Sequence, residues 1–375
     1  MTKKKFFKLI KSPRLFFVDY YKKINSRVYL KSLTIEGEKV VFVFNVSPWK
    51  RDFLKKIFPE QNLIFVPTSF NIRNYHKFLS ISKNYEFLVW GASLPEGVEY
   101  YIQNFGVKVR YLEDGFVRSA GLGAFHILPH SICLDQRGIY YNARTPSDLE
   151  VLLETKDFST DAPLMKEAKE CLNLILERKI TKYNLPITNL AESLYGKKNR
   201  PRILVIGQVE DDQSILFGCD SKINNNEVVR LAAKENKGAQ IIYKVHPDVI
   251  AEKRKEKSSP EEVEDLALLI REPMSLDDAL TGVDKVYTIS SLAGFESLLR
   301  GIPVVTLGSP FYAGWGLTDS RQINARRTKK LNLEELFAGA YILYPKYFNP
   351  ENGEASSLRE TINRIFLTMQ QSRPI

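Results

Sequence analysis

The chain has 375 residues, 44% hydrophobic and 26% charged, the profile of a soluble globular protein long enough for two domains. Its formal charge of +10 is concentrated at one end, where residues 1–31 hold ten Lys or Arg against one acid, Asp19, a net of +9. The remainder is close to neutral, which excludes a nucleic-acid groove running through the body.

The first element is a basic arm, assigned to residues 1–34, in which Phe6, Phe7, Phe16, Phe17, Tyr20 and Tyr21 interleave with lysines. An amphipathic helix of this kind suits the headgroup region of an anionic leaflet, where each basic residue contributes on the order of 1 kcal/mol. The bland alternative is a solvated basic tail. No apolar run approaches the length of a transmembrane span, and the lysine-broken start is no secretory signal. Cys133, Cys171 and Cys219 lie far apart and lack metal spacing, which points to a reducing, cytoplasmic setting.

Residues 35–185 read as a first Rossmann-like domain. Val40–Val46 is a buried strand leading into Ser47-Pro48-Trp49-Lys50, and Leu63–Val66 and Phe87–Trp90 are further strands. Val107–Leu112 runs into Glu113-Asp114-Gly115, and residues 146–183 read as helical. Prolines and a Gly-Lys-Lys run mark residues 186–201 as a linker. A second α/β set occupies residues 202–330, with strands at Ile203–Ile206, Ile241–Val245, Ala267–Ile270, Val286–Ile289 and Val304–Leu307. Residues 331–375 read as closing helices. Strands alternating with helices predict an α/β protein of two Rossmann-like domains facing across a cleft.

Four constellations fall at predicted strand ends, where ligands bind in such sheets. Glu113-Asp114-Gly115 is followed by Arg118, able to grip an anionic group bidentately; the alternative is a turn with a local ion pair. Gly207-Gln208-Val209-Glu210-Asp211-Asp212 crowds three acids, a pattern that needs one ionised and another protonated, or else is a solvated loop. The histidine pattern of a transition-metal site is missing there. Pro247 forces His246 into an extended conformation at a strand end, with Lys244 two residues before it. Ser290-Ser291 opens a helix that Gly301 ends, which makes an anion site, and Glu296 lies one turn in, within reach of ribose hydroxyls. The loop Phe311-Tyr312-Ala313-Gly314-Trp315-Gly316 either covers a base or sugar, or packs in the core.

These segments together resemble the capsule polysaccharide biosynthesis family, specifically its KpsC-type retaining β-Kdo glycosyltransferases. The matching stretches are Ser47–Lys50, Glu113–Ser119, Gly138-Ile-Tyr-Tyr141 with Pro146–Leu149, Gly207–Asp212, His246-Pro247 and Ser290–Asp319, in order over residues 40–320. The block Arg300-Gly-Ile-Pro-Val through Gly316-Leu-Thr-Asp319 is the most specific. Members with two tandem modules are roughly twice this length, so one module and one linkage are expected here.

The resemblance implies a GT-B-like fold and transfer of Kdo from CMP-Kdo, as donor substrate with no further cofactor, to a lipid-linked saccharide. It implies Asp212 as nucleophile, with Asp211 next, and Glu113 as acid/base. His246-Pro247, Ser290 and Ser291 would hold the CMP phosphate in place of a metal, Glu296 the ribose, and Arg118 or Lys244 the sugar carboxylate. The expected location is then peripheral at the inner membrane, with capsule assembly or export proteins as further partners and no nucleic acid. Three competitors keep some of these features: a transferase for another CMP-activated sugar such as sialic acid, a non-catalytic export or assembly component, and a nucleotide-sugar epimerase of similar shape. The transferase assignment requires Glu113 from the front half and His246 from the back half to converge on one gap.

Overall fold

Val40–Phe44 (β1) is five consecutive apolar residues, all buried, as a central strand covered on both faces must be. Val40, Phe42 and Phe44 enter one core with Phe87 and Val89, while Val41 and Val43 enter another with Leu63 and Leu88. The computed structural model describes residues 39–67, 84–121, 126–184, 189–252 and 254–371, together with Pro13, Ile72, His76 and Leu79. Apart from Pro13, the basic arm, and with it the expected membrane-contacting helix, lies outside the described residues.

After β1 the first domain continues with α1 (Arg51–Ile57), β2 (Asn62–Phe65), β3 (Tyr85–Trp90), α2 (Val98–Phe105), β4 (Val109–Asp114) and β5 (Ser131–Asp135). Two helices follow, α3 (Asp148–Thr155) and α4 (Ala162–Glu177). The single helical stretch expected over 146–183 is broken because Asp161 caps a new helix that Pro163 helps to open. Helix α5 (Ala191–Tyr195) lies within the predicted linker.

The second domain runs β6 (Arg202–Ile206), α6 (Gln213–Gly218), α7 (Asn225–Glu235), β7 (Gln240–Lys244), α8 (Pro247–Ile250), β8 (Leu268–Ile270) and α9 (Leu276–Ala279). It ends with β9 (Lys285–Thr288), α10 (Leu292–Leu299), β10 (Val304–Thr306) and β11 (Asp319–Ser320). Its sheet is wholly parallel in the order β11-β10-β9-β6-β7-β8, so the strand order reverses between β6 and β9. A crevice at the carboxyl ends of those two strands follows from that reversal.

The chain then crosses back. Helix α11 (Leu333–Phe337) and a π-helical turn, Ala338–Leu343, lead to β12 (Pro345–Phe348), β13 (Ala355–Ser356) and α12 (Leu358–Gln371). Helices alone were expected over 331–375, but β12 pairs antiparallel with β5 and β13 with β12. The first sheet thereby reaches seven strands, β13-β12-β5-β4-β3-β1-β2.

One apolar cluster joins the halves. The Phe116 ring, from the segment after β4, lies 4.7 Å from Phe311 and stacks on Tyr341 at 5.4 Å. Phe311, Tyr312 and Trp315 are all buried, so the aromatic-glycine loop packs in this joint, with Phe311 and Tyr312 also lining the inter-domain cleft. Arg327 holds the loop by donating to the carbonyls of Pro310 and Ala313. The three cysteines are free and buried, and no helix among the described residues is long and apolar enough to cross a membrane. The architecture is α/β, two Rossmann-like domains facing each other across a cleft in the GT-B-like manner.

Candidate active site

The ends of β4, β6, β7 and β9 open onto one cleft of 340 Å³, lined from the first domain by Glu113 and Asp114 and from the second by Asp212, Lys244, His246 and Ser291. Front-half acids and the back-half strand ends therefore share a gap.

Glu113 and Asp114 close β4 where Gly115 lets β5 come near: a Cβ at Gly115 would sit 2.2 Å from Ser131 Oγ. Close approach, not a left-handed turn, is why glycine follows the acids. The two carboxyls are driven apart in acidity. Burial, reinforced by the neighbouring Asp114 charge, pushes Glu113 above the usual carboxylate range. Burial opposes ionisation of Asp114 too, but Lys50 and Arg118 outweigh it and hold that carboxyl below its ordinary value. Lys50 Nζ lies 3.0 Å from Asp114 Oδ1 and Arg118 Nε 2.8 Å from Oδ2. Asp114 is thus the stronger acid of the pair and Glu113 the weaker, the split expected of adjacent acids with different partners.

Arg118 does not fulfil the expected role. Its side chain is 1% exposed, is spent on Asp114 and the Ser119 hydroxyl, and does not line the cleft. The local ion pair weighed from sequence is what the fold uses.

The three crowded acids separate into three tasks. Glu210 anchors the 258 region by accepting from the Ser258 N–H and hydroxyl. Asp211 faces outward to Arg254 at 2.7 Å and Lys257 at 3.4 Å, with 43% of its side chain exposed, so it does not join the cleft. Asp212 caps α6, its Oδ1 accepting the Ser214 N–H at 2.8 Å, and it lines the cleft. A backbone that places one acid at a helix N-cap turns the preceding residue away.

Lys244 ends β7, is 6% exposed and lines the cleft, and its ammonium forms no ion pair or hydrogen bond among the described residues. Burial lowers its pKa from the usual 10.5 to about 8. That shift is worth about 3 kcal/mol against the charged form. Since the folded state binds this proton more weakly, the penalty is complete below pH about 8 and fades as pH rises toward 10.5. Lys244→Met therefore raises Tm at pH 7 and raises it much less near pH 10, which differential scanning calorimetry at the two pH values checks.

His246 caps the four-residue α8, its Nδ1 accepting the Asp248 N–H at 3.1 Å, so the neutral ring carries its proton on Nε2. Burial lowers its pKa and keeps it neutral. Pro247 lines the cleft beside it. The Ser290-Ser291 turn is more occupied than an open anion site. Gln208 Oε1 accepts the Ser290 N–H at 2.7 Å, Thr288 takes that of Ser291, and the Ser291 hydroxyl caps Ala293. The Ser290 hydroxyl bonds Gln208 and Ser214, which ties α6 to α10. Glu296 lines the cleft, and burial raises its pKa to about 7. Its Oε1 accepts the Lys182 N–H at 2.7 Å and pins the inter-domain crossover.

Sequence reasoning assigned no role to Lys182, Tyr183, Tyr140, Tyr141 or Gln208, all of which line the cleft. Lys182 and Tyr183 were hidden at the end of a helical reading. Gln208 stood inside an acidic motif whose acids drew the attention, and the Tyr140-Tyr141 pair was a signal left without a role.

The chain matches the family described as "Capsule polysaccharide biosynthesis protein" over residues 86–347. It is 39% identical to the lipopolysaccharide-processing protein LpsZ of Rhizobium meliloti, over 88% of this chain and 75% of that protein. It is 34% identical to the capsule polysaccharide modification protein LipA of Neisseria meningitidis serogroup B, over 90% of this chain but 47% of LipA, about half its length. Among solved structures it superposes on the Thermosulfurimonas dismutans KpsC β-Kdo 2,4 transferase with TM-score 0.74 and 33% identity, covering 88% of this chain and 99% of that one. The KpsC β-Kdo 2,7 transferase follows at TM-score 0.71 and 31% identity, covering 88% and 100%. With the profile match spanning most of both domains, the chain belongs to the capsule polysaccharide biosynthesis protein family.

Proposed function

We propose that this protein is a retaining glycosyltransferase that moves Kdo from CMP-Kdo onto a lipid-linked saccharide during capsule assembly. The observation that carries the proposal is the convergence of Glu113, an acid weakened by burial, the capping carboxylate of Asp212 and the uncompensated cation Lys244 in one cleft. Likeness to the two KpsC transferases supports the choice of sugar.

In this scheme Lys244 pairs with the donor's phosphate or carboxylate, and His246 Nε2–H and the Ser291 hydroxyl donate to the departing phosphate. Asp212 attacks the anomeric carbon with the oxygen not spent on its cap, and CMP leaves from the opposite face. The acceptor hydroxyl then passes its proton to ionised Glu113 while its oxygen displaces Asp212. Two inversions give net retention. A basic arm of net +9 would hold the enzyme at an anionic leaflet where a lipid-linked acceptor resides.

Incubating the purified protein with CMP-Kdo, CMP-sialic acid and other activated sugars, and following CMP release with a saccharide acceptor, tests the assignment. Turnover confined to CMP-Kdo is expected. Turnover with sialic acid instead would change the sugar, and none with any donor would leave a non-catalytic assembly role. In the same assay, Lys244→Met weakens CMP-Kdo binding about tenfold or more, because a charge-assisted contact is lost in a buried site.

A further inference from the structure

Resting on the transferase assignment, we propose that Trp90 is the positioning residue for Glu113, fixing one carboxyl oxygen so that the other alone exchanges the proton with the acceptor. Glu113 Oε1 accepts two N–H groups, Trp90 Nε1 at 3.1 Å and the backbone of Asp114 at 2.9 Å. Oε2 meets only the Tyr141 hydroxyl, loosely, at 3.5 Å, and that hydroxyl is itself held by the Ala92 N–H at 3.0 Å. Oε1 has two donors and Oε2 only the Tyr141 hydroxyl, and Tyr141 lines the cleft whereas Trp90 does not.

The indole is in turn fixed. Lys50 Nζ lies 3.5 Å from the Trp90 ring centroid and 3.0 Å from Asp114 Oδ1, so a single buried ammonium clamps the tryptophan and neutralises the neighbouring acid. This gives the Ser47-Pro48-Trp49-Lys50 motif a purpose: its 3₁₀ turn delivers Lys50 beneath Trp90 at the top of β3. Trp90 and Glu113 lie near the ends of adjacent parallel strands, with Trp90 in register with Leu112, so the indole reaches the carboxyl without strain.

The charged and titratable groups facing Glu113 come from every side. They are Asp114 on its own strand, Lys50 from the 3₁₀ turn, Lys182 from the crossover, Cys133 opposite on β5, and Tyr140 and Tyr141 from the loop after β5. None of them except the Asp114 backbone replaces the Trp90 N–H on Oε1.

In the transfer step the acceptor O–H bond breaks, its proton forms a bond to Oε2, and the acceptor oxygen's electron pair makes the new glycosidic bond as Asp212 departs. The Trp90 N–H stabilises the ionised acid that accepts the proton, so removing it raises the Glu113 pKa. Because the base must be ionised, the acid limb of the rate profile then moves to higher pH.

Two arms test this. Tryptophan emission of the whole protein is titrated for wild type, Trp90→Phe and Glu113→Gln; with three tryptophans, the wild-type minus Trp90→Phe difference isolates Trp90. The expected result is a pH-dependent Trp90 signal that Glu113→Gln abolishes. A whole-protein emission titration unchanged in Glu113→Gln, or no titration at all in wild type, overturns the proposal, and this direct comparison of wild type with Glu113→Gln needs no folded Trp90→Phe. In turnover assays Trp90→Phe lowers kcat roughly tenfold, a small part of the 10²–10⁴ a positioned acid–base group supplies, with donor KM within about twofold and the acid limb shifted upward. An unshifted limb overturns it as well. Should wild type turn over no donor, the transferase assignment fails while the emission arm still decides the Trp90–Glu113 coupling.

Discussion

Asp212→Asn folds and binds CMP as the parent protein does, yet transfers sugar on the order of 10⁴-fold more slowly or not at all. The two consequences separate because the proposed mechanism adds a second job to the capping that Asp212 performs. As cap of α6 it accepts the Ser214 N–H, and asparagine caps a helix as well as aspartate does. As nucleophile it must offer an anionic oxygen, which an amide cannot. Asp212→Ala removes both and costs about 1 kcal/mol of stability in addition. Asp211→Asn is the internal control. Its carboxylate is tied at the surface to Arg254 and Lys257, and exposed pairs contribute about 0–1 kcal/mol, so turnover stays within about twofold of wild type. CMP release gives the rate and calorimetric titration with CMP gives the binding. Turnover of Asp212→Asn above a tenth of the parent value removes Asp212 from the covalent step, and loss confined to Asp211→Asn reverses the order of the two acids.

How far the chain could be read without coordinates depended on whether a feature is local. The parallel strands were legible because each is a buried apolar run ended by a turn residue, as in Val40–Phe44 before Asn45 or Arg202–Ile206 before Gly207. The strand at Ser131–Asp135 was not, since it mixes polar and apolar residues and takes its partner β12 from the far end of the chain, Cys133 opposite Pro345. Asp212, His246 and Ser291 were legible for a related reason: each is a capping residue between a strand and a helix. Capping and packing also limit what they can do: the Ser291 hydroxyl accepts the Ala293 N–H and keeps only its donor, while the Ser290 hydroxyl is tied to Gln208 and Ser214. The direction of side chains was the main thing lost. Nothing local distinguishes an Arg118 aimed at a ligand from one turned back onto Asp114, nor shows that the Trp90 indole meets Glu113. Lys182 was missed because a domain crossover has no periodicity to mark it.

Glu150→Ala destabilises the protein by about 3–5 kcal/mol, the largest stability effect expected of a single polar substitution here. Glu150 stands in the first turn of α3, 6% exposed at its side chain, and reaches across to the strand-free segment before α11. It accepts from Arg327 Nε at 2.9 Å, Arg326 Nε at 2.5 Å and Asn324 Nδ2 at 3.1 Å. Arg327 is itself buried, 2% exposed at its side chain, with its ring-facing guanidinium 5.7 Å from the Trp315 centroid. Deleting the carboxylate leaves that cation without a counter-charge inside the inter-domain core, and desolvation already presses its pKa downward. Glu150→Gln keeps hydrogen-bond acceptance without the charge and loses less. Glu150→Leu combined with Arg327→Met recovers much of the loss, because an apolar pair avoids the desolvation that the ion pair must offset. Denaturant unfolding of the three variants measures the order. The same change reaches the cleft, since Arg327 holds the Pro310 and Ala313 carbonyls and so the Phe311-Tyr312 wall. CMP binding by Glu150→Ala therefore weakens even under conditions where the variant is fully folded. Equal stability of Glu150→Ala and wild type would show instead that the Glu150–Arg327 pair does not hold the two domains together.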